Sequence, residues 1–97
     1  MNFYEYKEQG KKVIGVSFNY KNGIFSNVRI YGDFFVFPEE EVDTLENSIN
    51  GKNLPELLQL IEDFFSSGIS VYGITPEALK EVFRGAINEK QKYMLSL

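Results

Sequence analysis

A chain of 97 residues has room for one hydrophobic core and not for two. It contains neither His nor Cys, which removes the imidazole base, the thiolate nucleophile, zinc ligation through either side chain and any disulfide framework. The formal net charge is −4, near +2 over residues 1–37 and near −6 over 38–97; that is too little positive charge for nucleic-acid binding by counterion release. No apolar run approaches the roughly 20 residues of a membrane span, and Met1-Asn2-Phe3-Tyr4-Glu5 lacks the layout of a signal peptide. The expectation is a cytoplasmic chain that binds neither nucleic acid nor membrane.

The first third has the period of strands. Phe3 to Lys7 is expected to form a strand turned back by Glu8-Gln9-Gly10. Ile14, Val16, Phe18 and Tyr20 then alternate with Val13, Gly15, Ser17 and Asn19. After Lys21-Asn22-Gly23, Ile24, Ser26, Val28 and Ile30 alternate with Phe25, Asn27, Arg29 and Tyr31. A two-residue Asn22-Gly23 loop would oppose Val16 to Arg29. A three-residue loop pairs Phe18 with Ser26, Val16 with Val28 and Ile14 with Ile30, which keeps one face apolar. The sequence therefore predicts a three-residue turn with Gly23 at positive φ in a bulge.

From Pro38 the period becomes helical. Val42, Leu45 and Ile49 fall on one stripe, with Glu39-Glu40-Glu41 in the first turn and Gly51 as the stop. The acidic run serves the helix dipole better than a metal, because consecutive helical residues point in different directions. A second helix is predicted over Leu54 to Phe65, capped by Asn53, with Pro55 in its first turn and Leu54, Leu57, Leu58, Ile61 and Phe64 or Phe65 as its stripe. Ser66-Ser67-Gly68 ends it, and a short apolar stretch from Ile69 to Tyr72 leads to Gly73. Thr75, Pro76 and Glu77 announce a third helix whose stripe is Leu79, Val82, Phe83, Ala86 and Ile87. Residues 88–97 form a tail that either continues the helix or frays.

These elements predict one α+β domain over residues 1–97: a three-stranded antiparallel meander (1–37) covered on one face by about three helices (38–87). Nine Phe and six Tyr supply core filling, or a core plus an exposed contact face. No nucleophile–base pair can be assembled and no glycine opens a phosphate-binding loop; Asp33 and Glu5 could in principle pair as acid and base, but surface solvation is the default for two carboxylates far apart in sequence. The expectation is a chain with no active site of its own.

Arg29-Ile30-Tyr31-Gly32-Asp33-Phe34-Phe35 does not fit a plain strand. Gly32-Asp33 interrupts it, and consecutive phenylalanines in an extended chain point to opposite sides. Two readings stand. In one, the glycine forms a bulge that re-aims the strand, with Asp33 accepting a turn hydrogen bond. In the other, an exposed aromatic–acidic edge receives a second protein.

The order of a strand, Lys21-Asn22-Gly23-Ile24, then Ser26-Asn27-Val28-Arg29-Ile30-Tyr31-Gly32-Asp33-Phe34-Phe35 resembles the C-terminal domain of lipoate–protein ligases. Ile49-Asn50-Gly51 at the end of the first helix and Tyr72-Gly73-Ile74-Thr75 at the entry to the last extend the likeness over roughly residues 3–87. Gly32-Asp33-Phe34-Phe35 is its specific part. The resemblance implies an accessory role. In such ligases a large domain binds ATP and lipoate, forms lipoyl-adenylate and passes the lipoyl group to a lysine of a carrier protein, while the small domain covers or completes that site. It also implies that this chain binds no cofactor alone, that lipoate and ATP/Mg belong to the complex with a ligase catalytic domain or subunit, and that no catalytic residue carries over. Gly32, Asp33, Phe34 and Phe35 map onto the expected interface. With Met1 opening directly on the domain, a free-standing subunit is expected in preference to an excised fragment. Val36-Phe37-Pro38 departs from the small polar residues usual in the family at this place, and the cargo, lipoate or octanoate, is open. Outside the resemblance stand two alternatives: a self-associating α+β module, and a small-molecule binder with an aromatic-lined pocket between sheet and helices.

Overall fold

The computed structural model describes residues 2–7 and 13–96, with side chains over 13–88. Strands β1 (Asn2–Lys7), β2 (Val13–Lys21) and β3 (Ile24–Gly32) form an antiparallel sheet in the order β1-β2-β3. Two further strands, β4 (Phe35–Phe37) and β5 (Ser70–Tyr72), form a separate antiparallel pair. The helices are α1 (Glu40–Ile49), α2 (Leu54–Ser66) and α3 (Pro76–Ser96). The meander covered by three helices is thus present. The expected turn at Glu8-Gln9-Gly10 lies outside the described residues.

The hairpin register differs from the expected one. Lys21 pairs with Ile24, Tyr20 with Phe25 and Asn19 with Ser26, so the loop is the two residues Asn22 and Gly23, at φ 53° and 79°. Both central residues have positive φ, which makes this a type I′ hairpin turn. Gly23 does adopt positive φ, but in the turn and not in a bulge. Beyond Asn19 the register shifts, and Ser17 pairs with Arg29, Val16 with Ile30 and Ile14 with Gly32. The extra residue lies within β3, where Asn27 stands at φ 51°, a conformation Asn tolerates better than most residues. Apolar matching is therefore satisfied by a bulge placed inside the strand. The bulge also flips the phase of β3: Phe25, Val28 and Ile30 are buried while Ile24 is exposed.

All the large stripe residues anticipated on the helices reach the core. Leu45 and Ile49 of α1, Leu57 and Ile61 of α2, and Leu79, Val82, Phe83 and Ala86 of α3 are buried against Ile14, Val16, Phe18, Phe25, Val28 and Ile30. Phe18 lies 5.0 Å from Phe25 and 5.7 Å from Phe83 between ring centroids, and Phe25 lies 6.0 Å from Phe83. These rings fill the layer between sheet and helices, the position an aromatic-lined ligand pocket would need. The caps form as the local sequence requires. Asn53 Oδ1 accepts from Glu56 N–H and Glu56 Oε1 accepts from Asn53 N–H, both at 3.0 Å, a reciprocal capping box. Thr75 Oγ1 accepts from Ala78 N–H at 3.1 Å. Lys80 of α3 pairs with Glu62 of α2. Residues 88–96 continue α3.

β3 is the outer strand of its sheet, and its free edge is closed by α1 and the loop after it. Phe25 N–H donates to Lys52 O at 2.9 Å, and Gly51 N–H donates to Phe25 O at 2.7 Å. Further along, Ile30 N–H donates to Glu46 Oε2 at 2.6 Å. Glu46 is only 7% exposed, and its other oxygen faces Arg29 Nη1 at 3.7 Å. A carboxylate in mid-helix is buried because it completes the ladder of an edge strand. Glu46→Leu removes that acceptor and is expected to cost about 2 kcal/mol in urea unfolding, whereas Glu46→Gln keeps an acceptor and costs less.

Candidate functional site

Gly32-Asp33 is where β3 leaves the first sheet. Gly32 has φ 146°, and a Cβ on it would run into the Val13 carbonyl oxygen and come within 3.0 Å of Ile14 Cα. Asp33 N–H donates to Val13 O at 3.0 Å, and Val13 N–H donates to Asp33 Oδ2 at 3.4 Å. Asp33 thus bonds back to the start of β2 through backbone and side chain, and the chain turns out of the sheet. The strand is re-aimed here, as one of the two sequence readings expected, but without a bulge at Gly32, which still pairs with Ile14, and with Asp33 accepting from the start of β2 and not within a turn.

The redirected chain then splits the two phenylalanines. Phe34 packs half-buried against the main core. Phe35 begins β4 and is 63% exposed. In the β4–β5 pair the alternation is strict: Phe35 opposes Tyr72, Val36 opposes Val71, and Phe37 opposes Ser70. Val36 is buried, while Phe37 is 55% and Tyr72 61% exposed. One face of this small sheet therefore presents Phe35, Phe37 and Tyr72 to solvent. Asp33 borders it: the Cβ that Gly73 lacks would lie 2.9 Å from Asp33 O, so the residue after Tyr72 sits directly on the Asp33–Phe34 backbone.

Of the four expected interface residues, Gly32 and Phe34 hold the fold, Asp33 is exposed at its turn, and Phe35 lies on an open aromatic face. Sequence reading flagged Phe37 only as a departure from a family pattern, and Tyr72 only as part of a helix entry. The available signal was the alternation Phe35-Val36-Phe37 against Ser70-Val71-Tyr72, two short runs whose central valines both turn inward. A polar cleft of about 240 Å³ lies between the bulged edge of β3 and α1, lined by Asn27, Val28, Arg29, Glu46, Asn47 and Asn50.

Among the described residues there is no group of three or more carboxylates that would hold a metal ion. No helix among them is long and apolar enough to cross a membrane.

Comparison with known proteins agrees with this architecture. The family described as bacterial lipoate protein ligase C-terminus matches residues 5–83. A curated relative, Lipoate-protein ligase A subunit 2 of Thermoplasma acidophilum, is 30% identical over 74 residues, which cover 76% of this chain and 79% of the relative. A chain from the solved structure of an archaeal lipoylation system of Thermoplasma acidophilum, described as a bi-partite lipoate protein ligase and its E2 lipoyl domain, superposes with a TM-score of 0.75 at 28% identity. That superposition covers 84% of this chain and 92% of the other. The fold is thus that of a known domain, and this chain belongs to the lipoate protein ligase C-terminal family.

Proposed function

We propose that this chain is the non-catalytic accessory subunit of a two-chain lipoate–protein ligase. It docks on the catalytic chain and supports ATP-dependent activation of lipoate to lipoyl-adenylate. The observation that carries the reading is the extent of the likeness to a subunit. The match to Lipoate-protein ligase A subunit 2 covers 79% of that protein, and the likeness to a chain of a bi-partite ligase structure covers 92% of that chain. ATP, Mg and lipoate are held by the catalytic partner in this reading. The accessory chain acts by rigid-body closure, excluding water from a mixed anhydride that water would hydrolyse and ordering the loops around the nucleotide.

The test is lipoyl-adenylate formation by the catalytic chain from the same source, followed as pyrophosphate release with and without this chain. Addition is expected to raise the rate strongly and to saturate at one accessory chain per catalytic chain. Unchanged adenylation, with no complex on gel filtration, would remove the accessory role.

A further inference from the structure

The exposed aromatic face is flanked along the chain by acidic residues, and that charge bears on what could cover it. Resting on the accessory reading above, we infer that Phe35, Phe37 and Tyr72 are the anchor residues by which this chain docks on the ligase catalytic chain, at an apolar surface rimmed by Lys and Arg. Three large rings on adjacent, paired strands, each more than half exposed, form a contiguous patch. Aromatic anchors of this kind dominate the energetics of protein interfaces. The sheet bearing them is held rigidly from behind, with Val36 buried beneath it and the chain on either side fixed by the Asp33–Val13 bonds and the start of α1. Docking such a face requires little ordering, which favours affinity.

The electrostatics discriminate between occupants. The segments that frame the face, residues 33–43 and 69–77, carry Asp33, Glu39, Glu40, Glu41, Asp43 and Glu77 and no Lys or Arg. A second copy meeting this face about a two-fold axis would set these carboxylates against their own copies, because an isologous contact uses the same patch twice. Like charges brought together across an interface oppose association. A lipid surface or a nucleic acid, both anionic, is opposed for the same reason. A protein surface with a basic rim is favoured by it, and such pairing steers encounter.

Binding of this chain to the catalytic chain is measured by titration calorimetry for the wild type, for Phe35→Ala/Phe37→Ala/Tyr72→Ala and for Phe35→Lys, each confirmed folded by its thermal melt. Ile24→Ser, at the exposed hairpin tip, is the control. The triple variant is expected to bind roughly 100-fold more weakly or not at all, Phe35→Lys roughly 30-fold more weakly, and Ile24→Ser as wild type. Wild-type affinity is also expected to fall as salt rises. Wild-type affinity retained by the folded triple variant and by Phe35→Lys would overturn the docking face while leaving the accessory role standing. A wild type that does not bind the catalytic chain would overturn both. A wild-type dimer converted to monomer by the triple variant would assign the face to self-association instead.

Discussion

Gly32→Ala is expected to destabilise the fold by about 3 kcal/mol or more, whereas Gly23→Ala costs about 1 kcal/mol. Both glycines have positive φ, but Gly23 at 79° lies near the left-handed region and Gly32 at 146° far beyond it, so backbone strain is already greater at Gly32. What a methyl group would meet widens the difference. At Gly23 there is open space, while at Gly32 the first neighbours are the Val13 carbonyl oxygen and Ile14 Cα. These are backbone atoms of β2, held in the sheet on both sides, and they cannot swing aside as the end of a flexible side chain would. A Cβ at Gly32 must therefore push β3 off the end of β2 and break the hydrogen bond from Asp33 N–H to Val13 O. Urea unfolding followed by far-UV circular dichroism gives both costs directly. Equal costs at the two positions would mean that the contact with Val13 does not govern the exit from the sheet. The position has a functional consequence as well. In the proposed complex its part is to deliver Phe35 to the open face.

The division between what the chain announces and what only the folded molecule reveals follows the range of the interactions. Helix interiors were legible because their determinants lie within a few residues of one another. Leu79, Val82, Phe83 and Ala86 recur at helical spacing, and all four are buried as the period requires. Thr75 and Asn53 cap because a short polar side chain stands one residue ahead of a helix. The hairpin was legible as a hairpin, but not its register. An extra residue in the turn and an extra residue in the strand both restore apolar pairing, and choosing between them depends on the αL tolerance of Asn27 against that of a longer loop. The β4–β5 pair was invisible to periodicity because three residues do not establish a period, and its strands lie more than thirty residues apart. Glu46 reads locally as a solvated helix residue. Only the open edge of β3, brought alongside by the fold, gives its carboxylate a reason to be buried. The candidate site shares this history. Its Gly-Asp-Phe-Phe segment stands out in the sequence, but Phe37 and Tyr72 join it only through the pairing of two distant strands.

Phe83→Ala and Phe35→Ala remove the same side chain and are expected to fail in opposite ways. Phe83 is fully buried on α3, with its ring against both Phe18 and Phe25. Its loss leaves a cavity where helix and sheet meet and costs about 3–5 kcal/mol. Small domains have only about 5–15 kcal/mol of stability in all, so this variant should melt about 15 °C or more below the wild type. Phe35 has no such role. At 63% exposed, its truncation should change stability by no more than about 0.5 kcal/mol, with the thermal midpoint nearly unmoved. The order reverses when binding to the catalytic chain is measured at a temperature low enough for both variants to be folded. Phe83→Ala should then bind like wild type, because its side chain never reaches the surface, and Phe35→Ala should not. A Phe35→Ala protein that melts as low as Phe83→Ala would show that the aromatic face is part of the fold's own stabilisation and not free for a partner. With the expected result, cooling restores the ligase activity lost with Phe83→Ala and leaves that lost with Phe35→Ala unrestored, because a cavity weakens the population of the folded chain while a missing anchor weakens the contact itself.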